Sequence, residues 1–400
     1  MASKNPAYIN DDYRAWAERS ATVVDRRIAV MTKPGVFSHG EPDPSSLLLA
    51  EHVRAAAGDV VVGMNCRNGI MGSAIALAGA AGSVILTDRN VVAVEAATRT
   101  LAANGVQAAD VRLGHGRAAL DAGTVADIVA IRIPSDKPSL RQLLNDAFVT
   151  LRMGGHCYIA GATREGIKPA ARVLGELFGN SDTVATSGGH RIVRATKTDA
   201  NPGTPSDSER MLTSDEFRET VAMVREKEYA FHARPGVFSW DHIDDASRLL
   251  AERMDVRPSD RVLDLGCGYG LLGIVAASIA SAGTLTLLDT DIEAVRSATR
   301  SAQAAGIANA RVLASDVAAA VLDEQFDLVV TNPPFHLGKA TDLAVPVQFI
   351  HDAWTVLAPG GRLNLVANKT LPYEQAVGFL FGNLTTVHQD NRFKILSAIR

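Results

Sequence analysis

Pro34-Gly35-Val36-Phe37-Ser38 returns as Pro235-Gly236-Val237-Phe238-Ser239, 201 positions later in a chain of 400 residues. The same shift lays Cys66 on Cys267, Gly69 on Gly270, Gly72 on Gly273 and Asp88 on Asp289, and brings Asp127 within one residue of Asp327. Whatever architecture this sequence adopts must therefore be built twice. The expected organisation is one domain over 1–195, a linker over 196–215 and a second domain over 216–400. The linker holds Asn201-Pro202-Gly203-Thr204-Pro205-Ser206-Asp207-Ser208, a polar run of turn formers.

Within each copy, short apolar runs alternate with longer runs of helical period. In the second copy strands are expected at 262–265, 285–288, 326–330 and 362–366, with helices at 271–280, 292–305 and 347–356. Residues 393–399 alternate as a further strand at the sheet edge. The pattern predicts an α/β chain of two tandem doubly wound, Rossmann-like domains. A content of 47% hydrophobic and 21% charged residues excludes a disordered or fibrous chain. The first thirty residues are too charged for a signal peptide, and no apolar run reaches membrane-spanning length. The cytoplasm is therefore the expected compartment, with no membrane partner. Cys66, Cys157 and Cys267 form no CxxC pair and the histidines show no ligand spacing, so no metal is expected.

Two loops at strand ends carry the candidate chemistry. Asp264-Leu265-Gly266-Cys267-Gly268-Tyr269-Gly270 closes a strand and opens a helix, so Gly266, Gly268 and Gly270 let a ligand approach the backbone at a helix N-terminus. Gly268, Gly270 and Gly273 also spell the GxGxxG of dinucleotide enzymes. Asp264 argues against that reading: a carboxylate ahead of the glycines repels a diphosphate and attracts an ammonium. Asp289, ending the next strand, suits two ribose hydroxyls, and Asp316 suits either an adenine amino group or a helix cap. Asn332-Pro333-Pro334-Phe335 follows the strand at 326–330. Proline restricts Asn332, so its amide and the carbonyl of Pro333 can converge as two acceptors on one amine, while Phe335 can stack on a base. A plain Pro-Pro turn with Phe335 in the core is the other reading of that loop.

Taken together, DxGxGxG at 264–270, Asp289, Asp316 and the NPPF loop resemble class I S-adenosylmethionine-dependent methyltransferases acting on an amino nitrogen. The duplication, the Pro-Gly-Val-Phe-Ser segments and His336 after the loop further resemble bacterial ribosomal RNA guanine-N2 methyltransferases of the small-subunit type. The resemblance implies S-adenosylmethionine as cofactor and ribosomal RNA or a ribosomal subunit as partner. It assigns Asp264, Gly266, Gly268, Gly270, Asp289, Asp316 and Asn332 to the cofactor, and Asn332, Pro333, Pro334 and Phe335 to methyl transfer. It also implies that Phe238 borders the cofactor pocket and that the first copy is degenerate, helping in folding and RNA recognition. Adenine N6 or a protein glutamine is the alternative acceptor. A nicotinamide oxidoreductase leaves Asp264 and the NPPF loop unexplained, and a catalytically dead RNA platform suits the first copy only.

The first copy has lost these features. At the shared shift Asp264 becomes Gly63, Gly266 becomes Asn65 and Gly268 becomes Arg67, and at a shift of 200, as for Asp127, the NPPF loop becomes Arg132-Ile133-Pro134-Ser135. Asp88 remains as a helix cap or an inherited residue, and the shared position of Cys66 and Cys267 reads as packing. Asp241, Asp244 and Asp245 read as carboxylates favouring the start of a helix. Residues 1–195 carry a net charge of +3 and residues 196–400 one of −7, which together give the −4 of the whole. Arg14, Arg19, Arg26, Arg27 and Lys33 concentrate basic charge near the amino end, as a phosphate-binding surface or a solvated face. One S-adenosylmethionine should therefore bind per chain. Titration calorimetry measures this directly, and a stoichiometry near two would contradict the loss of the first site.

Overall fold

The computed structural model describes residues 13–79, 81–198, 216–334 and 343–400. Its residues form two compact units, one of residues 15–198 and one of residues 216–400 together with Tyr13 and Arg14. The domain expected over 1–195 counted Tyr13 and Arg14 with the first copy. Of the span read as a linker, only residues 196–198 are described.

The first unit contains β1 (Ala17–Val23), β2 (Arg26–Thr32), α1 (Pro44–His52), β3 (Val60–Met64), α2 (Ile70–Ala78), β4 (Ser83–Asp88), α3 (Val91–Ala103) and β5 (Ala109–Leu113). It continues through β6 (Ala126–Arg132), α4 (Lys137–Thr150), β7 (Leu151–Ala162), α5 (Ile167–Phe178), β8 (Asp182–Ser187) and β9 (His190–Thr196). The second unit repeats the order: β10 (Arg218–Val224), β11 (Lys227–Ala233), α6 (Asp245–Arg253), β12 (Arg261–Leu265), α7 (Leu271–Ile279), β13 (Thr284–Asp289), α8 (Ile292–Ala304) and β14 (Ala310–Ala314). It ends with β15 (Phe326–Thr331), α9 (Ala344–Val356), β16 (Leu357–Asn368), α10 (Tyr373–Phe381), β17 (Thr385–Gln389) and β18 (Phe393–Ile399).

Among the described residues each unit has one seven-stranded sheet, ordered β5-β4-β3-β6-β7-β9-β8 in the first and β14-β13-β12-β15-β16-β18-β17 in the second. The first five strands of each are parallel and the last two antiparallel. Strand β18, expected at the edge, lies between β16 and β17. Its residues Lys394, Ile395, Leu396 and Ala398 are buried, whereas β17 is polar and largely exposed, as an outer strand must be. In the second unit Val262, Leu328 and Val330 face α6, α7 and α8, while Leu263, Val329 and Leu363 face α9 and α10. Burial on both faces explains the unbroken apolar runs. The order reverses between β12 and β15, which puts the ends of these two strands, with Asp264 and Asn332, at the switch point where such sheets bind ligands.

Each unit also carries a two-stranded hairpin, β1-β2 or β10-β11, which the pattern reading did not anticipate. Its turns are Val24-Asp25 and Arg225-Glu226, and all four residues have positive φ (46, 62, 50 and 61°) without the glycine or asparagine that usually announces such a turn. In the second unit Arg225 offsets this by donating to the carbonyls of Ala251 and Met254 at the end of α6. The edge of β11 is satisfied by α8: His232 N donates to Ser301 Oγ at 2.8 Å and Arg234 N to Ser297 Oγ at 2.9 Å. Below them Arg234 pairs with Glu293 at 2.8 Å, with side-chain exposures of 0% and 1%. Glu293→Ala would leave that buried guanidinium without its carboxylate, and should cost about 3–5 kcal/mol in urea unfolding of the full chain. A loss below about 1 kcal/mol would contradict this role for the pair.

Candidate active site

The loop after β12 turns through three left-handed glycines, with φ of 76° at Gly266, 55° at Gly268 and 92° at Gly270. It is held in place from the neighbouring strand. Asp289 Oδ2 accepts from Gly268 N at 2.9 Å, and its Oδ1 accepts from Asp291 N at 3.0 Å. A Cβ at Gly266 would stand 2.8 Å from the ring of Phe349, whereas one at Gly268 would meet nothing within 4 Å. The backbone at Gly268 thus borders open space. Asp264, 1% exposed, accepts from Gly273 N at 2.7 Å through Oδ2, while its buried Oδ1 has no hydrogen-bond partner among the described residues. A buried carboxylate oxygen without a donor beside an open stretch of backbone suits a ligand that carries an ammonium.

Asn332 leaves β15 half-buried and is fixed from α6. Its Nδ2 donates to Asp244 Oδ2 at 3.1 Å and to Ser247 Oγ at 3.0 Å, while Asp244 caps the helix by accepting from Ser247 N at 2.7 Å. With both amide hydrogens engaged, the group presents Oδ1 as its acceptor. A cavity of about 210 Å³ opens beside it, walled by Phe238, Asp244, Asn332, Pro333, Asn368 and Phe393 among others. Phe238, at 55% exposure, therefore faces this cavity. Phe335 and His336 lie outside the described residues. Asp316 follows β14; its Oδ1 accepts the phenol of Tyr13 at 2.9 Å. Its backbone carbonyl accepts from Ala319 N at 3.0 Å, opening the short helical turn Ala319–Val321.

Asp244 and Ser247 are the participants that sequence reading overlooked, because a helix-capping role accounts for Asp244 by itself. The signal was in the repeat. Asp43 caps α1 in the first unit, accepting from Ser46 N at 2.9 Å, and the residue opposite it is Arg132 instead of Asn332. Arg132 binds Asp43 at 2.7 Å and Glu165 at 2.8 Å, and the Arg132–Asp43 pair is nearly closed to solvent, with exposures of 3% and 4%. Burial pushes Asp43 up, but the bonds and charge of Arg132 together with the bonds from Ser46 outweigh it and hold the carboxyl below its ordinary value. Asn65 and Arg67 keep the left-handed loop at φ 57° each, and Asp88 still accepts from Arg67 N at 2.9 Å. The Arg67 guanidinium lies 4.3 Å from the centre of the Phe37 ring and that of Arg132 lies 5.3 Å from it. The scaffold has been kept and the space filled with side chains.

The sheet order of both units, and the paired strand-end loops of the second, are those of methyltransferases. The methyltransferase small domain matches residues 27–194 and again residues 228–397. Ribosomal RNA small subunit methyltransferase C of Hahella chejuensis is 30% identical over 284 residues, 70% of this chain and 80% of that protein. Its namesake in Sodalis glossinidius is 31% identical over 295 residues, 73% and 76% of the two chains. The structure of the Thermus thermophilus 16S rRNA N2 G1207 methyltransferase (RsmC), in complex with AdoMet and guanosine, superposes with a TM-score of 0.78 at 29% identity. It covers 96% of this chain and 98% of that one. The chain belongs to the ribosomal RNA small subunit methyltransferase C family.

Burial, with a further contribution from the charge of Asp289 and against the Gly273 hydrogen bond, pushes Asp264 up to about 7. A carboxyl that holds its proton more tightly in the folded chain favours the fold at low pH, and this contribution is lost as pH rises from about 4 through about 7. Without added cofactor, the urea stability of the parent should therefore fall relative to Asp264→Asn across that window, by up to roughly 4 kcal/mol. Parallel pH profiles for the two proteins would contradict the assignment.

Proposed function

We propose that the second unit transfers the sulfonium methyl group of S-adenosylmethionine to the exocyclic N2 of a guanine in small-subunit ribosomal RNA, in the cytoplasm. Both named relatives are small-subunit ribosomal RNA methyltransferases, and the similar Thermus thermophilus enzyme was solved with AdoMet and guanosine. The observation that carries the reading is the orientation of Asn332 by Asp244 and Ser247 at the wall of the cavity.

Asp264 would take the cofactor's ammonium, Asp289 its ribose hydroxyls and Asp316 its adenine amino group, with Gly266, Gly268 and Gly270 giving access to the backbone. Bound there, the cofactor supplies an electrophilic methyl group. Asn332 Oδ1 and the carbonyl of Pro333 accept the hydrogens of the guanine amine, which directs its lone pair away from them and lets positive charge develop on the nitrogen. Pro333 and Pro334 hold these acceptors in place before the base arrives, and Phe335 stacks on the flipped base. Stacking at about 1–3 kcal/mol offsets much of the few kcal/mol that flipping costs. The alkylated amine is acidic enough to lose its proton to water, so no dedicated base is required. The first unit, its pocket filled by Arg67 and Arg132, serves as structural support and an RNA-docking surface.

Asn332→Ala should lower single-turnover transfer to RNA by on the order of 100-fold or more. Its affinity for S-adenosylmethionine should fall far less than its rate of transfer. Transfer within about threefold of the parent would overturn the acceptor-pair mechanism.

A further inference from the structure

Tyr13 and Arg14 precede the first unit in sequence but are fastened to the second. Tyr13 is 3% exposed and belongs to the same buried core as Leu265, Leu288, Val317 and Ala318, with its phenol donating to Asp316 at 2.9 Å. Arg14 pairs at 2.6 Å with Asp352, a residue of α9 whose side chain is 1% exposed. That same carboxylate accepts from Ala318 N at 3.0 Å and from Gln348 Nε2 at 2.7 Å. The three-residue loop from Asp316 to Ala318 is thus tied at both ends, by Tyr13 at one and by the Arg14–Asp352 pair at the other.

Between the ties, Val317 holds φ at 52°, a conformation that a β-branched residue adopts only when its surroundings impose it. The first unit has the same brace, Asp146 accepting from Arg117 N at 2.9 Å. There the left-handed position is Gly116 at φ 56°, and His115 stands where the second unit has Asp316. The second unit therefore holds its loop in a strained shape around a carboxylate, where the first needs only a glycine. Burial, reinforced by the carboxylates of Asp316 and Asp352, pushes the Tyr13 phenol up, so it stays protonated and remains a donor.

We propose that Tyr13 is a positioning residue of the cofactor site, orienting the Asp316 carboxylate so that it selects a ligand bearing a 6-amino purine, with Arg14 anchoring Tyr13 and the loop together. This rests on the reading of Asp316 as the acceptor for adenine. A carboxylate oriented by a donor meets its ligand as an acceptor: it welcomes the amino group of adenine and opposes the oxo group of hypoxanthine. The catalytic unit is then incomplete without residues that lie before the first unit, and a fragment of residues 216–400 lacks part of its cofactor site.

The test uses the full chain and two product analogues, S-adenosylhomocysteine and its 6-oxo counterpart S-inosylhomocysteine, with affinities measured by calorimetry. The parent should prefer the amino form by about tenfold or more, and Asp316→Asn should lose most of that preference. Tyr13→Phe keeps the buried ring and removes only the phenol oxygen. It should lower the preference by about threefold or more while the protein still melts as a folded chain. A merely structural role would weaken both ligands equally. A preference in Tyr13→Phe within about twofold of the parent, whether or not both affinities fall, overturns the proposal. A parent that binds neither analogue overturns the cofactor reading itself, a distinguishable result.

Discussion

In both units a carboxylate ending the second strand of the sheet reaches across to hold a left-handed turn at the end of the first: Asp289 to Gly268 N, and Asp88 to Arg67 N, each at 2.9 Å. In the second unit that bond acts beside those from Gly266 N and Cys267 N to the carbonyl of Leu288. Together they fix the path of the loop that opens α7, and with it the position of Gly268 and the approach of Asp264 to the helix start. The same carboxylates tie down the next helix, Asp289 through Asp291 N and Asp88 through Asn90 N. This brace is kept in a copy whose loop is filled by the side chains of Asn65 and Arg67, which marks it as a requirement of the fold. Side chains at a positive φ cost roughly 1 kcal/mol each, yet Asn65 and Arg67 keep the turn.

What separates the copies is therefore the side chains set on a common backbone. Glycine at 268 leaves open space where Arg67 lays its guanidinium on Phe37. At the other loop, Asp43 and Asp244 cap equivalent helices and each accepts from the residue that leaves the facing strand. With Arg132 the result is a closed ion pair, whose partners satisfy one another. With Asn332 it is an oriented amide that keeps an acceptor for something else. A change of one residue type turns a capped helix from one side of a closed ion pair into the support of an oriented amide.

Much of this was legible in the sequence, and the reasons for the rest are physical. The parallel strands could be read because both faces are buried, and the repeat of 201 residues fixed which positions to compare. The hairpins could not, since Val24-Asp25 and Arg225-Glu226 adopt their turn without glycine and Arg225 relies on carbonyls of α6. The order of β17 and β18 was hidden because an inner antiparallel strand and an edge strand alternate alike over seven residues. Asp244 and Tyr13 were missed for a common reason: each acts through a contact of long sequence separation, 88 residues to Asn332 and 303 to Asp316. No local pattern announces such contacts.

In the function proposed above, one site, built around Asn332 in the second unit, methylates a guanine of ribosomal RNA at N2. Mass spectrometry of small-subunit ribosomal RNA from a strain lacking this gene measures it directly. A single N2-methylguanine should be lost, and restored by the parent gene but not by a gene carrying Asn332→Ala. An unchanged complement of N2-methylguanine in the deletion strain, or full restoration by the Asn332→Ala gene, would contradict it.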